Sequence, residues 1–485
     1  MGTSAPSDSD GSLLDAARAL VAAAAADLRP DAAPVLDELR ATLGRELRIA
    51  VAGRVSAGKS TLVNALLGRR VAPTAAGECT RVVTWYRYGS PDRADLVLKD
   101  GSTRSLPMGD GLPERLGVPA DDVARIEVRL QSAPLRRYAL VDTPGLGGLG
   151  RPDDAAARAA VHGDGDARGA DAVLFLFRDV EKLDDLEFVT AYRRAVGEAE
   201  AAAVTVVGVL SHADLVGDGP WGDADPFAAA RELTERMSRD HAAHFSAVLP
   251  VAGLLAEAAR TNGLTEADAR GLAALRGTDR VRLQIATRRP LADPAAAEAV
   301  ARTLAVAGPY VLDRGREIAA GSGATGLREW LEDRSGIAAL ESVVAHRFAQ
   351  RSGPLKVATV VTRLERLART HAVDGAARRR LTDRLEAFRL DPRAHRMAEL
   401  TALADLAGER DGGGDLRRQL AQVVDSDEPW RRLGCAGPRS PAELRPLALQ
   451  LAARATAAAT LARTPTRARA ARVLSRSYLL IADRI

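Results

Sequence analysis

The 485-residue sequence contains few cysteines, few aromatic residues and no long apolar run. Two cysteines, Cys79 and Cys435, are too few for a disulfide framework, and no secretory signal opens the chain, so we expect a cytoplasmic protein. The longest apolar stretch, residues 19–26, is mostly alanine and falls far short of the roughly 20 residues that a transmembrane helix needs. The sequence therefore predicts neither a disulfide-rich secreted domain nor a membrane span.

Lysine is almost missing, although basic residues as a class are not. The chain carries 68 basic and 64 acidic side chains, a net charge of +4, and only four of the basic residues are lysines. Because this balance produces no basic tract, we expect no nucleic-acid partner. Lys59 stands directly after a glycine loop in a chain whose cations are otherwise nearly all arginine, which requires a chemical reason.

The composition is that of a folded protein with more than one domain. Hydrophobic residues make up 46% and charged residues 27%, and at roughly 150 residues per domain the length allows two or three domains. Short apolar runs typical of strands alternate with helical patterns, such as residues 158–161 and 228–245, and Asp100-Gly101 indicates a hairpin turn. The strand candidates are residues 47–52, 82–88, 94–98, 126–130, 138–141, 172–177, 204–210 and 247–251. This alternation predicts an α/β domain with a mostly parallel sheet.

Helical patterns without strands lie on both sides of this α/β region. Residues 1–11 are rich in Ser, Asp, Gly and Pro and are expected to be disordered, and two amphipathic helices are predicted within residues 12–44, starting at Ser12. After Ser335, apolar residues recur every three or four positions, which predicts a helical bundle. The predicted α/β domain spans residues 45–350, and the predicted bundle spans residues 351–485.

Residues 53–60 fit the phosphate-binding pattern G-x-x-x-x-G-K-[ST], directly after a predicted strand and before a helical run. Glycines let the backbone N–H groups turn inward, Lys59 reaches the β- and γ-phosphates of a nucleotide, and Ser60 ligates Mg²⁺. A chance glycine-rich turn is the alternative. The predicted nucleotide contacts in this segment are Gly53, Ala57, Gly58, Lys59, Ser60 and Thr61.

The expected partner of this loop is the segment Tyr-Ala-Leu-Val-Asp-Thr-Pro-Gly at residues 138–145. A buried strand there delivers Asp142 beside the magnesium ion, and the N–H of Gly145 can contact the γ-phosphate. A carboxylate at a strand end is common by itself. The sequence Asp-Thr-Pro-Gly at this distance from a phosphate-binding lysine is not.

Guanine selection in GTPases uses Asn/Thr-Lys-x-Asp after a later strand, where the Asp accepts hydrogen bonds from the purine N1 and N2 groups. Here the strand at 204–210 is followed by Ser211-His212-Ala213-Asp214, with Ser211 and His212 in place of the first two residues. A surface turn after a strand would look similar. Residues 250–253 follow the next strand, where a loop packing over the base would fall.

Between the first two motifs, Thr80 is the preferred candidate for a switch hydroxyl that completes the magnesium shell, ahead of Thr74. Threonines are also common at strand starts, which is the alternative. Cys79 is expected to be a small packing residue. His241 and His244 are expected to be solvated helix positions, since no third metal ligand is evident.

Together these motifs resemble dynamin-family GTPases, and most of all the actinobacterial dynamin-like proteins of the isoniazid-inducible type. The resemblance is carried by residues 53–61, 77–80, 142–145 and the helix that begins at 335. It implies that Ser56 contacts the bridging oxygen and a charge-compensating K⁺ or Na⁺, and that Thr80 positions Mg²⁺ and the attacking water. Val55 departs from the glutamine of eukaryotic dynamins, and His212 departs from the base-stacking lysine.

The resemblance also implies that the N-terminal helices pack with the C-terminal ones as a neck and stalk whose far tip meets a membrane. A helical subdomain that caps the sheet is the alternative. The implied tip lies near residues 408–445, where Trp430, Arg431 and Arg432 precede a turn rich in Gly and Pro, although an ordinary solvated loop has the same composition. Peripheral binding at the inner face of the cell membrane, self-association through the GTPase face and a dynamin-like paralogue as partner are implied in the same way.

We therefore expect a Mg²⁺-dependent GTPase that couples GTP-driven dimerisation to membrane remodelling or maintenance. In this expectation, water attacks the γ-phosphate in line, with Lys59, Mg²⁺ and the N–H of Gly145 stabilising the developing charge. Leu146, rather than a glutamine, follows Gly145, so catalysis is expected to need dimerisation as in the family. The alternatives are a nucleotide-switched scaffold with little turnover and a ribosome-assembly GTPase, which should carry a compact basic RNA-binding module.

Overall fold

The structure is a computed structural model of the chain. It describes residues 8–74, 78–109, 111–145, 170–178, 189–190, 206–242, 244–349, 352–407, 409 and 414–485. The helix predicted at residues 158–161 lies outside this set.

One sheet organises the first half of the chain. Its described strands are β1 (Leu47–Gly53), β2 (Thr84–Tyr88), β3 (Arg93–Leu98), β4 (Thr103–Leu106), β5 (Val123–Leu130), β6 (Tyr138–Asp142), β7 (Ala172–Phe177), β8 (Val206–Ser211) and β9 (Ala247–Val251). They run in the order β4-β3-β5-β2-β6-β1-β7-β8-β9. The five strands from β6 to β9 are parallel, whereas β2 is antiparallel to β6, and β3 is antiparallel to both β5 and β4. The prediction of a mostly parallel α/β sheet is confirmed.

The central strands are mostly apolar because both of their faces are covered, with Arg48 of β1 as a buried charged exception. Every residue of β1, β6, β7 and β8 is buried. In the parallel register, Val51 of β1 lies beside Asp142 of β6, and Gly53 lies beside Leu176 of β7. The carboxyl ends of these strands therefore meet at one edge, where the phosphate loop begins.

The strand β4 was not among the predicted strands. Its four residues, Thr-Arg-Ser-Leu, expose three side chains and bury only Leu106, so they have no apolar alternation to recognise. The predicted hairpin turn at Asp100-Gly101 connects β3 to this strand. Gly101 has a positive φ of 85°, and its N–H donates to the carbonyl of Leu98 at 3.0 Å.

Sixteen α-helices lie within the described residues. They are α1 (Asp8–Ala24), α2 (Ala33–Gly44), α3 (Lys59–Leu67), α4 (Pro226–Asp240), α5 (Gly253–Arg260), α6 (Glu266–Ala274), α7 (Arg280–Ala286), α8 (Pro294–Ser335), α9 (Ile337–Val343), α10 (Ser352–Thr370), α11 (Gly375–Leu390), α12 (His395–Ala407), α13 (Gly414–Val424), α14 (Pro429–Arg432), α15 (Pro441–Thr460) and α16 (Pro465–Arg484). The helical character predicted after Ser335 is confirmed.

The first helix begins earlier than predicted. α1 starts at Asp8 and not at the predicted Ser12.

The N-terminal helices pack against the two helices α10 and α11, which follow the predicted α/β domain in the sequence. Leu13 of α1 and Leu39 of α2 share an apolar core with Val360 and Leu364 of α10 and with residues of α11. Buried Asp27, which follows α1, forms ion pairs with two arginines of α11. A separate apolar core joins α12, α13, α15 and α16. No helix in the described part of the chain is long and apolar enough to cross a membrane.

The arginines of α14 behave differently from the sequence-based prediction of a membrane tip. Arg432 is only 13% exposed, forms an ion pair with the buried Glu399 of α12 and donates from Nε to the carbonyl of Val423 at 3.1 Å. The prediction that Arg432 faces a membrane is wrong, because its charge is already neutralised inside the helical core. Arg431 instead lies over the ring of the half-buried Trp430, 4.8 Å from its centroid.

Candidate functional site

The loop between β1 and α3 is shaped by two glycines with positive φ. At Gly53 (φ 147°) an added Cβ would lie 2.2 Å from the carbonyl oxygen of Leu176, so only glycine allows β1 to end this close to β7. Gly58 (φ 86°) turns the chain into α3, which opens with Lys59. Ser56 has a positive φ of 63°, which is uncommon for a residue with a side chain.

Lys59 points back into this loop. Its side chain is almost fully buried, and Nζ donates to the carbonyls of Gly53 at 3.2 Å and Arg54 at 3.0 Å. Burial lowers the pKa of the ammonium group, while the nearby Asp142 carboxylate opposes this shift. The loop therefore encloses a cation whose partners are weak neutral acceptors, which phosphate oxygens can replace.

Ser60 and Asp142 meet beside Lys59. The Ser60 hydroxyl donates to Oδ2 of Asp142 at 2.9 Å, joining the start of α3 to the end of β6. Burial raises the pKa of Asp142 to about 6, with Lys59 and Ser60 lowering it in part. Oδ1 of Asp142 is buried and has no hydrogen-bond partner among the described residues. A hydroxyl and a carboxylate with a free oxygen are hard ligands that suit Mg²⁺.

The residues after Asp142 run along the phosphate loop. Thr143 fixes the chain by donating from its hydroxyl to the carbonyl of Val51 at 2.9 Å. Gly145 lies directly against Val55, since a Cβ built on Gly145 would be 2.7 Å from the Cα of Val55. Val55 itself is 61% exposed. Val55, which replaces the glutamine of eukaryotic dynamins, therefore lies next to Gly145, the glycine predicted to contact the γ-phosphate.

The segment after β8 lies close to the same loop. The Ser211 hydroxyl donates to the carbonyl of Phe177 at 3.1 Å, and Nδ1 of His212 lies 3.1 Å from the Ser211 hydroxyl. His212 adopts a left-handed conformation, and a Cβ on Gly58 would be 3.7 Å from its ring. Asp214 is 6% exposed, and burial raises its pKa to about 6. Burial also lowers the pKa of His212, with a smaller contribution from Arg178.

A cavity of about 200 Å³ opens between the phosphate loop and this segment. Its lining residues are Ala57, Gly58, Thr61, Leu62, Leu176, Val209, Ser211, His212, Asp214, Leu215, Val251, Gly253, Leu254, Gly308 and Pro309. Val251 and Gly253 come from the segment expected to pack over the base. The contribution of Gly308 and Pro309 was not predicted. Their only signal in the sequence is a Gly-Pro pair inside a helical stretch.

Thr80 lies in a 3₁₀ turn, Glu78–Arg81, and is half-buried. Its neighbours attach this turn to the loop before β5. The buried Cys79 donates from Sγ to the carbonyl of Pro113 at 2.7 Å, and Glu78 accepts from the N–H of Leu116 at 2.9 Å. Burial, aided by Glu78, raises the pKa of the Cys79 thiol to about 11, which fits a packing residue. The switch role of Thr80 stays a prediction.

The rings of His241 and His244 lie 6.3 Å apart. The described residues contain no cluster of three or more His, Cys, Asp or Glu side chains that could hold a metal ion. Beside Lys59, by contrast, the Ser60 hydroxyl and the Asp142 carboxylate offer two oxygen ligands. Next to nucleotide phosphates, Mg²⁺ is commonly held by one or two protein ligands of this kind.

A phosphate loop at the carboxyl edge of a parallel sheet, with a buried aspartate beside it and a base-sized cavity, defines a P-loop nucleotide-binding protein. Comparison with known sequences makes the class more specific. The sequence profile of the dynamin family matches residues 49–179. The isoniazid-induced protein IniC of Mycobacterium tuberculosis is 36% identical over 358 residues, which is 70% of each chain. The chain belongs to the dynamin family and is a GTP-binding GTPase close to IniC, as the motifs predicted.

Two shorter sequence similarities point the same way. The isoniazid-induced protein IniA of Mycobacterium tuberculosis is 34% identical over 123 residues, covering 22% of this chain and 18% of that protein. The bacterial dynamin-like protein of Nostoc punctiforme is 32% identical over 98 residues, covering 20% and 14%. A solved structure of an oligomerised bacterial dynamin pair aligns with 98% of this chain and 74% of its own, at 12% identity and a TM-score of 0.33.

Proposed function

We propose that this GTPase binds GTP with Mg²⁺ at the carboxyl edge of β1 and β6 and hydrolyses it without a covalent intermediate. The observation that carries this proposal is the meeting of Lys59, Ser60 and Asp142 in one buried cluster, next to a cavity that contains Asp214. Lys59, Ser60 and Asp142 are suited to binding the phosphates with their magnesium ion, and Asp214 is suited to binding the base. All four residues lie at or just after the carboxyl ends of β1, β6 and β8, which belong to the parallel part of the sheet.

Each residue has a defined part in this proposal. Lys59 exchanges its loop carbonyls for the β- and γ-phosphate oxygens and stabilises the charge that develops as water attacks in line. The N–H of Gly145 and the loop amides hold the γ-phosphate. Ser60 and Asp142, with Thr80, would hold Mg²⁺, which when bound supplies further positive charge at the phosphates. By family resemblance, Ser56 would contact the bridging oxygen and a K⁺ or Na⁺ ion.

The base is proposed to lie in the cavity beside Asp214. Its carboxylate would accept hydrogen bonds from the N1 and N2 donors of guanine, and adenine offers no such pair. Ser211 positions His212 by the contact between its hydroxyl and Nδ1, and the imidazole takes the place of the lysine that stacks on the base in related GTPases. Because the pKa of His212 is lowered, this ring is neutral at pH 7 and offers an uncharged stacking surface.

The packing of the helices supports a further proposal about self-association and membrane attachment. The packing of α1 and α2 against α10 and α11 supports a neck formed by helices from before and after the α/β domain. It also supports a boundary between the α/β domain and the helical bundle at about residue 350. The α/β domain would then work through GTP-dependent self-association, with a second copy or a paralogue. Peripheral attachment to an anionic membrane surface from the cytoplasm would use Trp430 and Arg431 near the start of α14, where both border an open groove.

The proposal is tested by measuring GTP turnover at several protein concentrations, with Mg²⁺ or with excess EDTA, and with or without anionic liposomes. Turnover per molecule that rises with protein concentration supports self-association. Co-sedimentation with the liposomes that is lost on replacing Trp430 and Arg431 together supports the membrane site. Turnover that persists in EDTA, or in Lys59→Ala, would contradict the assigned phosphate site, with Lys99→Ala as the control because Lys99 is exposed and lies outside it.

A further inference from the structure

The long helix α8 is interrupted where it passes the base cavity. Gly308 has φ 81° and ψ 179°, far from helical values, and Pro309 follows it. Both residues line the cavity. Tyr310, the next residue, is anchored on its other side by a stacked contact with Trp330, with ring centroids 5.7 Å apart, and an edge contact with Phe227 at 5.2 Å. The interruption is therefore held in place by packing.

A second contact joins α8 to the loop that faces the cavity. The carbonyl of Ser335, at the end of α8, accepts a hydrogen bond from the N–H of Ala252 at 2.9 Å. The following Gly336 has a positive φ of 78°, and an added Cβ would lie 2.3 Å from the carbonyl of Pro250. Leu254, in the first turn of α5 after this loop, would lie 3.5 Å from a Cβ on Gly308. α8 thus supports the loop from both sides.

A bend in a long helix does not by itself require a ligand. α8 contains another interruption at Gly323 (φ 61°), where the carboxylate of Glu266 accepts from the N–H of Ala324 at 3.1 Å. That interruption is satisfied by a side chain of the protein. Among the described residues, the Gly308–Pro309 break borders the cavity, and Gly323 does not. The two breaks of one helix therefore differ in what they face.

We propose that the break at Gly308–Pro309 is a wall of the base pocket, against which the purine ring of the nucleotide packs. Glycine contributes no side chain and proline no N–H donor, so this short stretch of helix presents a compact apolar surface to the cavity. Such a surface suits a flat ring whose polar edge is turned toward Asp214. The inference rests on the proposed assignment of this cavity to guanine.

The test compares two ligands that share the phosphate site and differ in the base. Binding of GDP and of inorganic pyrophosphate is measured by calorimetry for the wild type, Pro309→Ala, the matched helix-break control Gly323→Ala, and Asp214→Asn. Pro309→Ala removes the proline ring from the wall of the pocket. We expect it to weaken GDP binding by about 10- to 100-fold, which is the size of effect that the loss of apolar contacts in a binding pocket produces. Pyrophosphate binding is expected to stay within about twofold, and Gly323→Ala should change neither affinity.

The outcomes separate this inference from the guanine assignment. If Asp214→Asn weakens GDP binding and Pro309→Ala does not, the wall is refuted and the guanine pocket stands. If neither variant weakens it, both are refuted. Equal weakening of GDP and pyrophosphate in Pro309→Ala shows a general distortion and also refutes the wall. Should Pro309→Ala fail to unfold cooperatively on heating, Leu254→Ala, which opens the same wall from the loop side, is judged by the same two affinities.

Discussion

Asp214→Asn should make the nucleotide site far less selective for GTP over ATP while leaving its phosphate half intact. Asp214 is 6% exposed in the wall of the cavity, so its oxygens have little access to water. Asparagine has the same shape but replaces one acceptor oxygen with a donor. The one guanine donor left without an acceptor costs about 1–3 kcal/mol, which corresponds to a loss of about 5- to 150-fold in GTP preference.

The pKa of Asp214 gives this prediction a second readout. Burial raises that pKa to about 6, with Arg178 opposing the shift, so the carboxylate is mostly ionised at pH 7 and mostly protonated at pH 5. Guanine binding selects the ionised form, and protonation must therefore weaken it as the pH falls. For a pKa near 6, the GDP affinity of the wild type should drop about tenfold between pH 7 and pH 5. In Asp214→Asn this part of the pH dependence should disappear.

The assay is displacement of a fluorescent GDP analogue by GTP and by ATP at pH 7, repeated with GDP at pH 5 to 7. Asp218→Asn is the matched control, since Asp218 is exposed and does not line the cavity. An Asp214→Asn variant that keeps the wild-type ratio of GTP to ATP affinity would refute the reasoning. Equal affinity of the wild type for both nucleotides would refute it as well.

Three further predictions concern the phosphate site and the helical packing. Lys59→Ala should abolish measurable nucleotide binding, because a buried cation at the β- and γ-phosphates is lost, and micromolar GTP affinity in this variant would contradict the site. Ser60→Ala should raise the Mg²⁺ concentration needed for half-maximal turnover at least about tenfold by removing one oxygen ligand, and an unchanged magnesium titration would exclude that role. Asp27→Ala should lower the free energy of unfolding measured in urea by about 2 kcal/mol, because the ion pairs that join the end of α1 to α11 are lost. This value is reduced because the two arginine partners are partly exposed. The control Asp31→Ala, at an exposed position, should have little effect.

Most strands of the sheet and the phosphate loop could be predicted from local sequence. The central strands are covered on both faces, so their sequences are mostly apolar, with Arg48 as the charged exception inside β1, and all eight predicted strands are present. The phosphate loop is a contiguous motif in which the left-handed turn at Gly58 (φ 86°) favours glycine directly before Lys59. Such features depend on neighbours in sequence, and the sequence alone is enough to predict them.

The remaining features depend on partners that are distant in sequence. The exposed strand β4 is a strand only because β3 pairs with it, and the position of Arg432 is set by Glu399 of another helix. The juxtaposition of Ser60 with Asp142, more than 80 residues apart, follows from the parallel pairing of β1 and β6.

The sequence by itself therefore determined the class of sheet, the family and which residue types could bind a nucleotide. Only the tertiary structure decided that the break in α8 at Gly308–Pro309 forms part of the cavity beside Asp214. The physical reason is that a cavity is bounded by whichever surfaces the packing of the whole chain brings together. A glycine and a proline inside a helix have no periodicity or motif from which the surface that they face could be predicted.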